Sequence, residues 1–305
     1  INKNITSKVE EWIASIQNEY LRKRLKENVL ITGGSITSML LNEPVNDYDI
    51  YIKNYNVVIE LAEYYVEAYK NDIRILLGNN KESYLDNLAV YENGHNQENN
   101  ISAYGSAIRT LQPGQVKLYF ESKTGGYKVE QKEPVEGEEK LKYQPAFFSA
   151  NAISLTDDIQ IVLRFYGTNE DIHKTFDFIH ATNYWTFETG IVTNTKALES
   201  IITKQLHYQG SLYPLTSIIR MKKFLKRGWN INAGEILKIM FQISELDLKN
   251  FDVLEEQLIG VDVAYFTLLI EALRSVEDKS KITSSYINEI IDRIFNSTSS
   301  DFNEE

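Results

Sequence analysis

The sequence predicts an α+β domain, built as a mixed sheet with helices, followed by an all-helical domain. Three observations carry this. Several short runs between residues 29 and 180 alternate apolar with polar side chains, the two-residue period of a half-buried strand. From about residue 195 the apolar residues recur every three to four positions instead, the period of an amphipathic helix. The 305 residues, 43% apolar and 25% charged, have ordinary globular composition and suffice for two units. The divisions fall at 1–194, at 195–295, and at a Ser-rich acidic tail over 296–305.

Taken in order, residues 6–27 read as helix. Val9, Trp12, Ile13, Ile16 and Tyr20 recur at helical spacing, and Ser7 and Glu10 have the spacing of a capping box. Val29–Thr32 is a short apolar strand that runs directly into Gly33-Gly34-Ser35. Ile36–Leu41 is helical, and Pro44 ends it. Tyr48–Lys53 reads as a strand. Val57–Tyr69 reads as a helix with Val58, Leu61, Ala62, Tyr65 and Tyr69 on one face, and Ile73–Leu77 as a further strand. Gln115–Glu121 and Tyr127–Gln131 flank Lys123-Thr124-Gly125-Gly126 as a hairpin. Phe147–Leu155 and Ile159–Phe165 flank Thr156-Asp157-Asp158 as a second one. On its second strand Ile161, Leu163 and Phe165 face one way, and Gln160, Val162 and Arg164 the other. Thr168 and Asp171 cap a short helix, and Phe176–His180 reads as one more strand. Asn79–Asn100 and Lys132–Lys142 read as polar loops. Beyond these, helices are expected at Ala197–His207, Leu215–Arg227, Ala233–Ser244, Val261–Ser275 and Ile282–Phe295.

Composition excludes several chemistries. There is no cysteine, so disulfides, thiolate zinc sites, iron–sulfur clusters and cysteine nucleophiles are ruled out. The four histidines, His95, His173, His180 and His207, fall in no metal-binding spacing, so any metal is expected to be hard and oxygen-bound. A formal charge of −11 opposes indiscriminate nucleic-acid binding. No run of 18 uninterrupted apolar residues is present, so no membrane-spanning segment is expected. The first residues lack a basic-then-apolar leader pattern, and the chain reads as cytoplasmic.

The chemistry concentrates in one stretch. Ile31-Thr32-Gly33-Gly34-Ser35 is followed, after eleven residues, by Asp47-Tyr48-Asp49-Ile50-Tyr51. Two glycines after a strand let the backbone turn tightly and approach a phosphate, and a helix opening at Ser35 would aim free N–H groups and a hydroxyl at it. Asp47 and Asp49, two apart on a strand, project from one face, where paired carboxylates can hold Mg²⁺ or Mn²⁺ against a nucleotide's phosphates. No GK[ST] follows the glycines, so this is not a P-loop, and it is not a GxGxxG dinucleotide fingerprint.

The pattern of apolar residue, Gly-Gly-Ser, about ten residues, then Asp-apolar-Asp-apolar resembles the polymerase-beta-like nucleotidyltransferase superfamily. The resemblance implies a metal-dependent transfer of a nucleoside monophosphate from a nucleoside triphosphate to an acceptor hydroxyl, with release of pyrophosphate. It also implies a third carboxylate on a later strand between apolar residues. Asp177, in Phe176-Asp177-Phe178, matches best, and Glu121 and Glu130 are rivals. Asp47, Asp49 and Asp177 would then be the catalytic and metal-binding residues. Ile172 to Trp185 and Tyr208 to Leu215 resemble nucleotidyltransferase-like proteins of tailed bacteriophages, which would place the chain in the host cytoplasm or the virion. One departure is visible. tRNA-end-adding members carry an Arg-Asp pair shortly after the glycines, where this chain has Ile36-Thr37-Ser38. The acceptor classes left open are RNA, protein and small molecule. The alternative is a catalytically silent phage structural or accessory protein that retains the fold.

Other features have two readings each. Thr216–Trp229 holds Arg220, Lys222, Lys223, Lys226 and Arg227 and no acid, so it is either a phosphate-neutralising helix, with Lys222 and Lys223 as nucleotide contacts, or a solvated face. Arg164 reads as a phosphate contact or as the ion-pair partner of Asp177 or Asp49. His173 and His180 read as structural rather than catalytic. Tyr184 and Trp185 read as a core edge or a stacking surface for a base.

Overall fold

The computed structural model describes residues 1–77, 89–91, 117–119, 126–129, 141–149, 151–248, 250, 253–254, 257, 272–273, 275–276, 278 and 281–297. Helix α1 (Asn2–Ser15) buries Ile5, Val9, Trp12 and Ile13, one face at i, i+4, i+7 and i+8. The predicted single helix over 6–27 is two helices. Ile16 turns to extended backbone, and Asn18 restarts the chain as α2 (Glu19–Asn28) by accepting from the Leu21 N–H at 3.0 Å. Ser7 and Glu10 therefore lie inside α1 rather than capping it. Strand β1 (Val29–Thr32), α3 (Gly34–Leu40), β2 (Tyr48–Ile52) and α4 (Tyr55–Leu77) follow. Helix α4 runs through Ile73–Leu77, read from sequence as a strand, because no glycine or proline interrupts residues 55–77.

Strands β3 (Ala89–Tyr91), β4 (Lys117–Tyr119), β5 (Gly126–Lys128), β6 (Pro145–Ser149), β7 (Ala152–Leu155) and β8 (Ile159–Tyr166) come next. Among the described residues, the strands of the predicted hairpin between residues 115–121 and 127–131 do not pair with each other. β4 pairs with β3, and β5 pairs with β6, so each strand finds a partner outside that pair. The second predicted hairpin is present as β7–β8, closed by Asp157 and Asp158 at φ 61° and 58°. Its first strand is divided in two, β6 folding back on β7. Among the described residues the main sheet has the order β10-β9-β1-β2-β8-β7-β6-β5, where β9 is Tyr184–Thr186 and β10 is Gly190–Val192. All neighbours are antiparallel except β2 and β8, which are parallel and set Asp49 beside Gln160.

The sheet has two unlike faces. Val29, Ile31, Ile50, Ile52, Ile159, Ile161 and Leu163 pack with α1, α2 and α4 in the principal core. Leu30, Tyr51 and Val162 lie on the other side with Ile172, Phe165, Phe176 and Tyr184. Phe165 is on this second face, against the predicted alternation. The Leu163 and Arg164 N–H groups both donate to the Asn151 carbonyl, and the β2–β8 register shifts between Ile50 and Ile52, a bulge that resets the period.

Helix α5 (Asn169–His173) opens with the predicted Thr168–Asp171 capping box. Residues 176–180 form no strand. Phe178 makes a single bridge to Tyr208, and Ile179–Ala181 is a 3₁₀ turn. The remaining elements are α6 (Thr195–Thr203), β11 (Gln205–Leu206), α7 (Pro214–Lys226), β12 (Asn230–Ile231), α8 (Ala233–Ser244) and α9 (Ser284–Ser297). Among the described residues the C-terminal region is helical except for one short parallel pair, β11 with β12. Phe178, with Leu40 and Leu41 against it, shares a core with Ile201, Leu206, Trp229 and Ile239, which ties the sheet region to the helices. Among the described residues no helix is long and apolar enough to cross a membrane. His95, Glu121, Glu130, the helix expected at Val261–Ser275 except for Ala272, Leu273 and Ser275, and most of Asn79–Asn100 and Lys132–Lys142 lie outside the described residues.

Candidate active site

The turn after β1 is built for close approach. Gly33 has φ 95° and ψ −146°, backbone that side chains rarely adopt. A Cβ there would stand 3.3 Å from Asp49 Oδ2, so the glycine lets the turn lie directly against the carboxylate of β2. At Gly34 a Cβ would meet nothing within 4 Å, and that side of the turn is open. The Gly33 N–H donates to the Ala181 carbonyl at 3.1 Å and is spent on the fold. Ser35 is buried, and its Oγ has no hydrogen-bond partner among the described residues.

The segment that replaces the expected strand at 176–180 straps this turn. Thr37 Oγ1 donates to the His180 carbonyl at 3.1 Å. Thr32 Oγ1 lies 2.8 Å from His173 Nε2, 2.8 Å from the Asn183 carbonyl and 3.1 Å from the Ala181 carbonyl. A hydroxyl has one proton to give to those carbonyls, so the arrangement assigns the imidazole proton to Nε2, donating to Thr32. Burial lowers both His173 and His180 to about 4 and keeps them neutral. His180 sits between Phe224 and Trp229, with ring centroids 4.4 and 4.6 Å away, a packing role.

Asp47 is exposed just before β2, and Asp49 is half-buried on it. Burial first, and the neighbouring Asp47 charge second, push the Asp49 carboxyl up to about 7, while Arg220 pulls the other way. Tyr51 is buried on the same face. Its phenol is raised by burial and by the Asp49 and Asp177 charges, with Arg220 opposing, which puts these four groups in one neighbourhood. Asp177 is buried, but it arrives from a loop held by the Tyr208 strand bridge and by Gln209 N donating to its carbonyl at 2.9 Å. Its Oδ2 accepts from Arg220 Nη1 at 2.8 Å. The Asp177 ion pair weighed for Arg164 is made by Arg220.

The Arg164 guanidinium stacks on the Tyr213 ring, 4.6 Å from its centroid. Lys222 and Lys223 are exposed on α7. Lys222 stands two residues from Arg220, about 200° around the helix, and points away from the carboxylates. Sequence reasoning missed Arg220 as the partner of Asp177. The available signal was that Arg220, Phe224 and Arg227 recur at i, i+4 and i+7, an inward stripe within the basic run. Arg227 bonds Glu43 and reaches Ser38 Oγ at 3.3 Å, which holds Glu43 below the usual carboxylate range.

Among the described residues, no three His, Asp or Glu side chains are arranged to hold a metal ion. Asp47 and Asp49 supply the carboxylate oxygens that a hard cation takes, and Asp177 Oδ2 is already engaged by Arg220. Tyr184 lines a cleft of about 550 Å³ with Asn169, His173, Asn194 and Gln209, and Trp185 is buried with Nε1 on Asn2 Oδ1 at 2.7 Å.

Comparisons with known proteins add the following. A Thermotoga maritima CCA-adding enzyme complexed with tRNA is 12% identical, with a TM-score of 0.38 over 97% of this chain and 62% of that one. A Bacillus stearothermophilus CCA-adding enzyme in complex with CTP is 13% identical, with a TM-score of 0.35 over 86% of this chain and 51% of that one. The chain thus spans 62% and 51% of the lengths of these two enzymes. No curated protein matches the sequence. A family model does match, over residues 3–204, which contain β1, the glycine turn, Asp47, Asp49 and Asp177, and by it the chain belongs to the Gabija anti-defense 2 family.

Proposed function

We propose that this chain is an anti-defence protein that acts as a metal-dependent nucleotidyltransferase on a nucleoside triphosphate. The observation that carries the reading is the contact of the Gly33 turn with Asp49, which sets an open backbone turn against a paired carboxylate. Asp47 and Asp49 would hold Mg²⁺ or Mn²⁺, which when bound supplies neutralising charge for phosphates. Gly34 presents the open side of the turn, and the unpartnered Ser35 hydroxyl is a donor for a phosphate oxygen. Attack on the α-phosphate would release pyrophosphate, with RNA, protein or a small molecule as acceptor.

The test is incubation with each labelled nucleoside triphosphate and Mg²⁺ or Mn²⁺, in the presence of host RNA and protein. Label transfer is expected with the native chain and not with Asp49→Asn. Absence of both transfer and metal-dependent triphosphate binding in the native chain would overturn the reading. A second reading, a catalytically silent anti-defence scaffold, is favoured by one observation: Asp177, the third carboxylate of the resemblance, is engaged by Arg220.

A further inference from the structure

Arg220 reaches Asp177 from a docked helix rather than as a loose surface side chain. Its guanidinium donates to Asp177 Oδ2 at 2.8 Å, and the two side chains are 28% and 10% exposed, so solvent screens the pair weakly. Two further contacts seat the same helix. Phe224 packs on His180, and Arg227 bonds Glu43 and reaches Ser38 at the end of α3. Arg220 is thus delivered to the carboxylates already ordered, and little side-chain entropy remains to be lost there. Its charge also acts on Asp49 and Tyr51. An arginine does not release its proton at accessible pH, so it cannot vacate the place by neutralising.

We infer that Arg220 is the built-in cation of this site. It fills the position beside Asp177 and leaves Asp47 and Asp49 alone to take a divalent cation. A guanidinium and a divalent cation beside one carboxylate compete, because they repel and Arg220 already engages Oδ2. A cation therefore gains Asp177 as a ligand more readily where Arg220 is withdrawn. This rests on the reading of Asp47 and Asp49 as the metal-binding pair.

The experiment is Mn²⁺ titration of the full chain, followed by the paramagnetic resonance signal of the free ion. The variants are Asp49→Asn, Asp177→Asn, Arg220→Gln and the double variant Arg220→Gln/Asp177→Asn. Asp177→Asn alone is expected to leave Mn²⁺ affinity within about twofold of the native chain, whereas Arg220→Gln tightens it by about tenfold or adds a second ion, a shift of the size that groups around a metal site control. The double variant should lose that gain. The inference is overturned if Asp177→Asn weakens Mn²⁺ binding in the native background by about tenfold or more, or if Arg220→Gln brings no gain. Asp49→Asn tests the underlying reading separately. Unchanged Mn²⁺ binding there removes the metal role of the Asp pair, while the Arg220→Gln and double-variant arms still decide the inference. Glutamine keeps a donor for the buried carboxylate. Should Arg220→Gln lose its folded circular dichroism signal, Asp177→Asn, whose amide still accepts from Arg220, decides alone.

Discussion

On β1, β2 and β8 the residues that share the core with α4 are Val29, Ile31, Ile50, Ile52, Ile159, Ile161 and Leu163. The alternate residues of the same strands include Thr32, Asp49, Tyr51, Gln160 and Arg164. One face is closed by apolar packing, which has no directional demand and no charge to satisfy. The other face carries groups that cost free energy to bury, and several there are tied to partners: Thr32 to His173 and Asn183, Arg164 to the Tyr213 ring, and Asp177, arriving from its loop, to Arg220. Asp49 differs, with a like charge beside it and its carboxyl pushed up to about 7. The first face sets stability, and the second is where changes should alter binding.

The largest effect is expected on the apolar face. Trp12→Ala empties a fully buried position and strands the Tyr65 hydroxyl that accepts from the indole N–H at 2.8 Å. It should cost about 3–5 kcal/mol in urea unfolding, with Mn²⁺ affinity unchanged wherever the chain stays folded. A loss of metal affinity at equal foldedness would break the division between faces.

On the polar face, Arg220→Ala leaves the Asp177 carboxylate without its charged donor. A stability loss of about 2 kcal/mol is expected, near the value of a hydrogen bond to a charged group and below that of a fully buried pair because Arg220 is 28% exposed. Gly33→Ala combines strained backbone with a Cβ 3.3 Å from Asp49 Oδ2. It should cost about 1–3 kcal/mol and weaken metal and triphosphate binding together, readable by calorimetry on the folded fraction.

The two buried histidines and Asp49 oppose one another in pH dependence. His173 and His180 are lowered from 6.5 to about 4 in the fold, so the unfolded chain binds their protons first and stability is lost as pH falls from about 6.5 to 4. Asp49 is raised from 3.8 to about 7, so its contribution is present at low pH and lost as pH rises over that interval. Unfolding free energy should therefore fall on acidification below pH 6.5, and Asp49→Asn should steepen that fall. An unchanged slope in the variant would contradict the placement of Asp49. The smallest effect belongs to Lys222→Ala, an exposed position turned away from Asp177, expected within about 0.5 kcal/mol of native stability and without effect on Mn²⁺ binding.

What sequence alone determined is the local grammar. The strand into Gly33-Gly34, the short helix after it, the Asp49 strand, the Thr168–Asp171 cap and the Thr156–Asp158 hairpin all rest on neighbours within a few residues, and they appear in the structure with shifted ends and the hairpin's first strand divided. Tertiary structure decided what has no local signal. Phe176-Asp177-Phe178 has the alternation of a strand, yet the backbone there is claimed by Tyr208 and Gln209 and then by a 3₁₀ turn strapped to the glycine loop. The apolar end of α4 is indistinguishable by period from a strand over so few residues, and helical continuity settled it. The partner of Asp177 lies 43 residues away on another element. Sequence shows that a run of basic residues exists, but only the docking of α7 selects which of them meets the buried carboxylate, because that choice depends on helix rotation and packing rather than on any residue's neighbours.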